Sequence, residues 1–589
     1  MSIISMRLVL LAVLSALLFG CGGGGGSSSA PSSTTISGTA AAGAPVVGIV
    51  TIRDSSTPVK EKTAPIDSTG KYTVDVVGMS GPFMLRAEGA VAGRHYSMYS
   101  GALQSDVGGT INITPLTDLV MSNIAAQIAA NLFDNNAGYA SSITAANLQT
   151  EQGELRALLL PVLTDLGLSA TVDLLRITFN ANHTGFDALL DALRVTIDPA
   201  TASAIITNIM NQTSTTDSFA VADAGTSLTG TGTTSGLSEA AQISARFQTW
   251  TNAFATALPS ANSLLPLFDQ SNFLFEGQIL SEFLTEITTN PTFVGMKFTN
   301  VAIDELNTTT FPYSAKVRFD VIRAGSAGGH VDLHMFVSKE NSTANWLLQG
   351  DQRVGATSIN AVAQSSSHTS GCDAGIKSGI WMEISAPAAP TVDYAIVKGP
   401  GLPLAGVLLA KTASQNKFSI MVDGATYNGV NTPTGCNNNR YFMNDTQIAS
   451  VPDNAVYTID LIDDFDTPLN MSDDVVFRTY TSTLTKAPVL NASLTTANFA
   501  TLDSSNLAAI AVSGGDLIVT WTLPADRFME RVHVFRQNAT GQVSEEFDVA
   551  ATATSLTKPL VAAPDTVVAN SGINLLAVDI FGREYDTHP

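Results

Sequence analysis

The heptapeptide HVDLHMF, His330 to Phe336, sets two imidazoles and a carboxylate at alternating positions. Along a strand, residues two apart share a face, so His330, Asp332 and His334 would line up while Val331, Leu333 and Met335 point the other way. Such a trio can hold zinc or another transition metal with positions left open for water. No fourth ligand is implied, so the plainer expectation is the wet face of an amphipathic strand, or one wall of a pocket. A second group, Asp460, Asp463, Asp464, Asp466, Asp473 and Asp474 in IDLIDDFDTPLNMSDD, offers hard oxygen ligands of the kind Ca²⁺ takes, with Asp463, Asp464 and Asp466 set closest together. It lacks the glycine-punctuated spacing of a calcium loop, and a solvated acidic turn is the expectation. The run KGPGLPLAG, with Gly399, Pro400, Gly401, Leu402 and Pro403, resembles a phosphate cradle only in its glycines. Proline removes the N–H donors such a cradle uses, and the run reads as a β-turn.

No P-loop, HExxH, GxSxG, CxxC pair or EF-hand loop is present, which removes several well-marked enzyme classes. With 51 Asp and Glu, carboxylate pairs suited to glycoside cleavage can be assembled anywhere by chance, so no catalytic pair is assigned.

These groups must be positioned by a chain of 589 residues, long enough for several domains. From 36 to 113 the text is strand-like: APVVGIVTIRD, then an Asp-Ser-Thr-Gly turn followed by alternation at Tyr72, Val74 and Val76, then PFMLRAEG. The stretches SGTAAAGAPVVGIVTI, DSTGKYTVDV and GPFMLRA resemble the carboxypeptidase regulatory-like (transthyretin-like) domains of bacterial surface proteins, which implies a small accessory β-sandwich without catalytic residues. At Thr114 the period changes. TPLTDLVMSNIAAQIAANLF puts Pro115 in the first turn of a helix behind a Thr cap, with an apolar stripe from Leu116 through Ile124 and Ile128 to Leu132. A second helix, from about Thr144 to Leu166, contains Pro161, which should kink or break it. The run Phe186, Leu189, Leu190, Leu193 then marks a further amphipathic segment of this helical region, 114–212. The order of sandwich, ITPLTDL helix and TGFDALLDALRVTID is similar to a recurrent layout of bacterial lipoproteins.

Residues 213–237, rich in Gly, Ser and Thr, read as a linker. Helical runs near 238–257 and 272–289 precede the strands AKVRFDVIRAG, GHVDLHMFVSKE and NWLLQGDQRVG, so 238–358 resembles a cystatin-like α+β cone. A β-rich region spans 359–487. The last segment, 488–589, resembles a fibronectin type III-like sandwich: GDLIVTWTLP would place Trp521 in its core, with RVHVFRQ and INLLAVDIFGRE as further strands. The expected fold class is multidomain and mainly β with an α-helical segment: an N-terminal β-sandwich, a helical region, an α+β and β middle region and a C-terminal β-sandwich.

Residues 1–20 have the parts of a secretory signal, and their apolar stretch, Leu8 to Phe19, is shorter than the about 20 residues that cross a bilayer. Leu18-Phe19-Gly20-Cys21 resembles the bacterial lipobox, which implies a diacylglycerol-modified Cys21 as the first residue of the mature chain. Residues 21–35, Gly/Ser-rich, would be a flexible tether holding the body off the membrane. Gly22 after the cysteine resembles lipoproteins sorted to an outer membrane, periplasmic or surface-facing. If Cys21 carries lipid, Cys372 and Cys436 remain as an even pair in an oxidising compartment. A disulfide between them closes about 64 residues and is worth roughly 4 kcal/mol in the chain-entropy model. Two free buried thiols are the competing reading, and neither flank, TSGCDAG or PTGCNNN, resembles a thiol-catalysis motif.

A net charge of −22 excludes a nucleic-acid partner, since phosphates call for clustered Lys and Arg. The leading expectation is therefore a lipid-anchored envelope protein with a binding, adhesion or structural role, with no cofactor beyond the lipid and with an envelope glycan or protein as partner. The alternatives are an exported hydrolase of glycan or peptide with its site in 238–486, and an envelope receptor for a small ligand or for a metal such as Zn²⁺ or Ca²⁺.

Overall fold

The computed structural model describes residues 34–219, 226–322, 333–368, 374–411, 418–420, 426–427, 430–431, 439–465, 472–537, 542–563, 568 and 570–588. The molecule is multidomain and mainly β, with a helical layer between its first sandwich and the sheets that follow.

In the first unit, Thr35–Thr39 pairs antiparallel with Lys71–Asp75, and a four-stranded sheet runs in the order Glu61–Ile66, Val47–Arg53, Phe83–Val91, Arg94–Ala102. The Asp-Ser-Thr-Gly turn forms because Asp67 Oδ1 accepts the N–H groups of Thr69 (2.8 Å) and Lys71 (3.0 Å), while Gly70 takes the left-handed φ of 79° that side chains disfavour. Tyr72, Val74 and Val76 alternate into the core. The hairpin of Phe83–Val91 and Arg94–Ala102 turns on Ala92 and Gly93, both at positive φ (45° and 70°), as a two-residue turn that matches strand twist requires.

The helical layer departs from its sequence pattern in three places. Thr114 accepts the Thr117 N–H at 3.2 Å and starts the helix Pro115–Ala125, as expected, but left-handed Ala126 (φ 51°) ends it. The stripe continues in a separate helix, Ala129–Asp134. Pro161 does not break the helix Ala145–Asp165. Proline leaves the Ala157 carbonyl without its helical donor, and the returning chain supplies others: Ser227 Oγ donates to Ala157 O at 3.1 Å and the Leu228 N–H to Leu158 O at 2.9 Å. Finally, the helix Phe186–Ala192 gives way at Leu193 to an antiparallel sheet of Leu193–Asp198, Ser203–Asn208 and Thr213–Ser218. The expected linker thus begins as an edge strand, and the next helix, Thr233–Ala253, starts inside its other end. TSTTDS has no apolar alternation because its inward positions are Thr215 and Asp217.

The helix Thr233–Ala253 packs on an antiparallel meander of Lys297–Asn307, Tyr313–Ile322, His334–Lys339 and Leu347–Gly350. Their shared core is aromatic, with Trp250 stacked on Phe298 at 3.7 Å.

Two larger sheets complete the chain. One has five strands in the order Phe418–Ile420, Val407–Lys411, Tyr394–Lys398, Ala455–Asp463, Val475–Leu484. The other has seven: Arg440–Phe442, Gly375–Ile384, Thr357–Ser366, Glu584–His588, Asn570–Val578, Phe528–Gln537, Gln542–Asp548. The last strand of the chain lies parallel to Thr357–Ser366, so the C-terminal sandwich shares its larger sheet with strands of 359–487. Trp521 is buried as expected, in the core between this sheet and the three-stranded sheet of Thr501–Ser505, Gly515–Thr522 and Ser555–Leu560. Its indole N–H donates to Ala553 O at 2.8 Å. Among the described residues no helix is long and apolar enough to cross a membrane.

Candidate functional site

The hairpin tip at Ala92–Gly93 leaves its own sandwich and is gripped by two later units. Asp320 Oδ2 accepts the Ala92 N–H at 3.1 Å, and Arg318 Nη1 donates to Ala92 O at 2.7 Å. From the five-stranded unit, Thr485 Oγ1 donates to Gly93 O at 2.7 Å, while Asn454 accepts the His95 N–H (2.8 Å) and donates to its carbonyl (2.7 Å). Beside it, Lys486 Nζ donates to Glu88 (2.6 Å) and Asp453 (2.9 Å). Hydrogen bonding from His95, together with Lys486, holds the Glu88 carboxyl far below the usual carboxylate range against the opposing effect of burial.

Where sandwich, helical layer and meander meet, they enclose a cavity of about 540 Å³, a size that suits one small ligand. Leu190, Leu193, Ile209, Leu237 and Ile303 give it apolar walls, and Arg94, Arg194 and Arg318 supply its charge. The three arginines come from three elements: the strand after the hairpin tip, the first strand of the small sheet and the second strand of the meander. They converge on Asp304, which sits in the irregularity between Ile303 and Glu305 where the Lys297–Asn307 strand slips its register. Arg318 Nε donates to both Asp304 oxygens (3.0 and 2.8 Å), Arg194 Nη2 to Asp304 O (2.7 Å) and Oδ1 (3.3 Å), and Arg94 reaches Oδ1 at 3.6 Å. Burial raises the Asp304 carboxyl, but Arg318 and Arg94 outweigh it and hold it below its ordinary value. Burial depresses the Arg194 guanidinium, and Arg94 and Arg318 depress it further against the attraction of Asp304. Three like charges around one carboxylate leave room for a second anion, and two of them, Arg94 and Arg194, keep more than a third of their side chains accessible (38% and 36%).

His183 and Asp191 line the same cavity. With Asp187 they offer one imidazole nitrogen and two carboxylate oxygens within 4.8 Å of one another. The spacing of four between His183, Asp187 and Asp191 was visible in HTGFDALLD, a segment in which the apolar stripe alone drew the helical reading. No sequence signal linked Arg94, Arg194, Asp304 and Arg318.

Of the residues singled out from sequence, Cys21, His330, Asp332, Cys372, Cys436 and Asp466 lie outside the described residues. His334 is not on a wet face. It is 8% exposed, and burial, reinforced by Arg353 and Lys316, pushes its imidazole down to about 3, so it is neutral. Asp460 pairs with Lys398 at 3.0 Å, and Asp474 accepts from the Tyr394 hydroxyl at 2.6 Å. Asp463 Oδ1 accepts the Phe465 N–H at 3.0 Å, and the Asp464 N–H donates to Asp393 Oδ2 at 3.0 Å. Burial, with the Asp464 side chain and its charge, pushes the Asp393 carboxyl up to about 6 against the lowering effect of the Asp464 N–H. The glycine and proline run is a turn: the Leu402 N–H donates to Gly399 O (3.2 Å) and the Gly406 N–H to Pro403 O (2.8 Å), with Gly401 at φ 77°.

No known protein family and no curated protein matches the chain. Among solved structures, the crystal structure of a tetra-tandem repeat in the extending region of a large adhesion protein aligns over 94% of this chain and 97% of its own, at 11% identity and a TM-score of 0.12.

Proposed function

We propose that this chain is a non-catalytic binding protein of the cell envelope, tethered by lipid at Cys21, and that its junction cavity holds an organic anion with an apolar body. The observation that carries the ligand class is the convergence of Arg94, Arg194 and Arg318, which line the cavity beside its apolar walls, on Asp304. A carboxylate or phosphate headgroup would take the donors that Arg94 and Arg194 leave unfilled, and the apolar body would displace water from Leu190, Leu193 and Leu237. The tether rests on the lipobox-like residues before Cys21 and places such a receptor at a membrane surface.

The test of the ligand is titration of the full-length protein in detergent with a dansyl-labelled medium-chain fatty acid. Saturable fluorescence should be competed by the unlabelled acid and by an alkyl phosphate, but not by the alcohol of equal length. R94Q and R194Q should each weaken binding by roughly tenfold or more, the loss of one charge-assisted hydrogen bond of about 1.5–3 kcal/mol. Equal competition by the alcohol, or unchanged binding in both variants, would refute the anion site. Incorporation of labelled palmitate into the wild type and not into C21S tests the tether separately.

A further inference from the structure

The geometry points to a divalent transition-metal site, with Zn²⁺ as the best-fitting ion, formed by His183 and Asp191 on the cavity wall and by Asp187 beside them. The three ligand atoms lie within 4.8 Å of one another, and His183 Nδ1 and Asp191 Oδ2 are already 3.0 Å apart. Tetrahedral ligands on bonds of about 2.1 Å sit about 3.4 Å from each other, so only small side-chain rotations close the site.

A cluster of this kind can be an ordinary hydrogen-bonded group, and Asp187 separates the two cases. Its side chain has no solvent exposure; Oδ2 accepts the His183 N–H at 2.6 Å, and the Asn182 backbone also reaches the carboxylate. Its Oδ1 is buried with no hydrogen-bond partner. An unfilled carboxylate oxygen inside a protein is costly unless a cation or proton meets it, and the imidazole and second carboxylate beside it are what a metal requires. The mixed nitrogen and oxygen set suits Zn²⁺ better than Ca²⁺, which takes six to eight oxygens. Gly43 packs close against Asp191, where an added Cβ would lie 3.3 Å from Asp191 Oδ1. His183 is half exposed, so the remaining coordination positions face the cavity and water. The inference stands apart from the anion reading, because the metal is held by residues other than the arginines.

Full-length protein stripped with chelator is titrated with Co²⁺, whose visible absorption reports coordination, and then with Zn²⁺ as competitor. One equivalent of Co²⁺ should bind, Zn²⁺ should displace it, and Zn²⁺ should raise the melting temperature. H183A and D191N should each weaken Co²⁺ binding at least tenfold and abolish the thermal shift. His183 is half exposed but pairs with Asp191, so metal-free H183A should still unfold cooperatively, a few degrees below the wild type. Absence of binding to the wild type, binding unchanged in both variants, or a site filled by Ca²⁺ but not by Zn²⁺ would overturn the assignment. None of these readouts uses the fatty acid, so failure here and failure of the anion site are distinguishable.

Discussion

Replacing Asp304 with Asn should move stability and anion affinity in opposite directions. The Asp304 side chain is 9% exposed and accepts two hydrogen bonds from Arg318, whose own side chain is 6% exposed. Removing one partner of a buried ion pair costs about 3–5 kcal/mol, because the remaining charge is left poorly compensated. Asn keeps one accepting oxygen, so the lower end, about 3 kcal/mol, is the expected loss. For a cooperative unit of roughly 150–250 residues this corresponds to a fall of about 6–12 °C in the melting temperature. Arg318 also holds Ala92 O, so the loss should appear in the transition that reports the sandwich and the meander together. Ligand affinity should behave otherwise. With Asp304 neutralised, Arg94 and Arg194 lose the counter-charge they share, and a fatty acid should bind at least several-fold more tightly and restore part of the lost melting temperature. Differential scanning fluorimetry with and without the acid reads both effects. D304N that melts within 2 °C of the wild type, or that binds the acid more weakly, refutes the account of Asp304 as an internal stand-in for the ligand's charge.

Two further outcomes follow from contacts between units. The Glu88 carboxyl is held well below its ordinary value by His95 and Lys486, so the stability it contributes is present above the unfolded value of about 4.5 and is lost as pH falls from there toward its folded value. Between pH 6 and pH 3 the wild type should therefore lose melting temperature more steeply than E88Q, and parallel curves would remove Glu88 from the acid response. Gly230 packs on the Pro161 turn, where an added Cβ would lie 2.0 Å from Pro161 O, a backbone atom that cannot rotate away. G230A should cost about 1–3 kcal/mol by overpacking, while A157G, which leaves the Ser227 contact intact, should cost only about 1 kcal/mol of helix propensity. Urea melts of the two variants compare these costs, and a G230A protein as stable as the wild type would refute the close approach.

The readable features were those fixed by a few consecutive residues. Thr114 caps its helix and Asp67 ties its turn because each partner lies within four positions, and Trp521 could be placed inside because its strand alternates. Pro161 misled because the donors that compensate it, Ser227 and Leu228, come from about 70 residues away and from a segment whose composition reads as a linker. The strand Thr213–Ser218 was missed for a related reason: backbone pairing with Ser203–Asn208 holds it, and its buried side chains are polar. His334 shows the converse error, since alternation assigns a face but does not say whether another layer covers it. The candidate site residues divide on the same line. His183, Asp187 and Asp191 share one short segment, and their spacing of four was open to inspection. Arg94, Arg194, Asp304 and Arg318 are brought together by a hairpin tip, a small sheet and a slipped register, each set by contacts between units. A cavity built by docking several cores has no linear motif, because the residues that line it come from segments far apart in the chain.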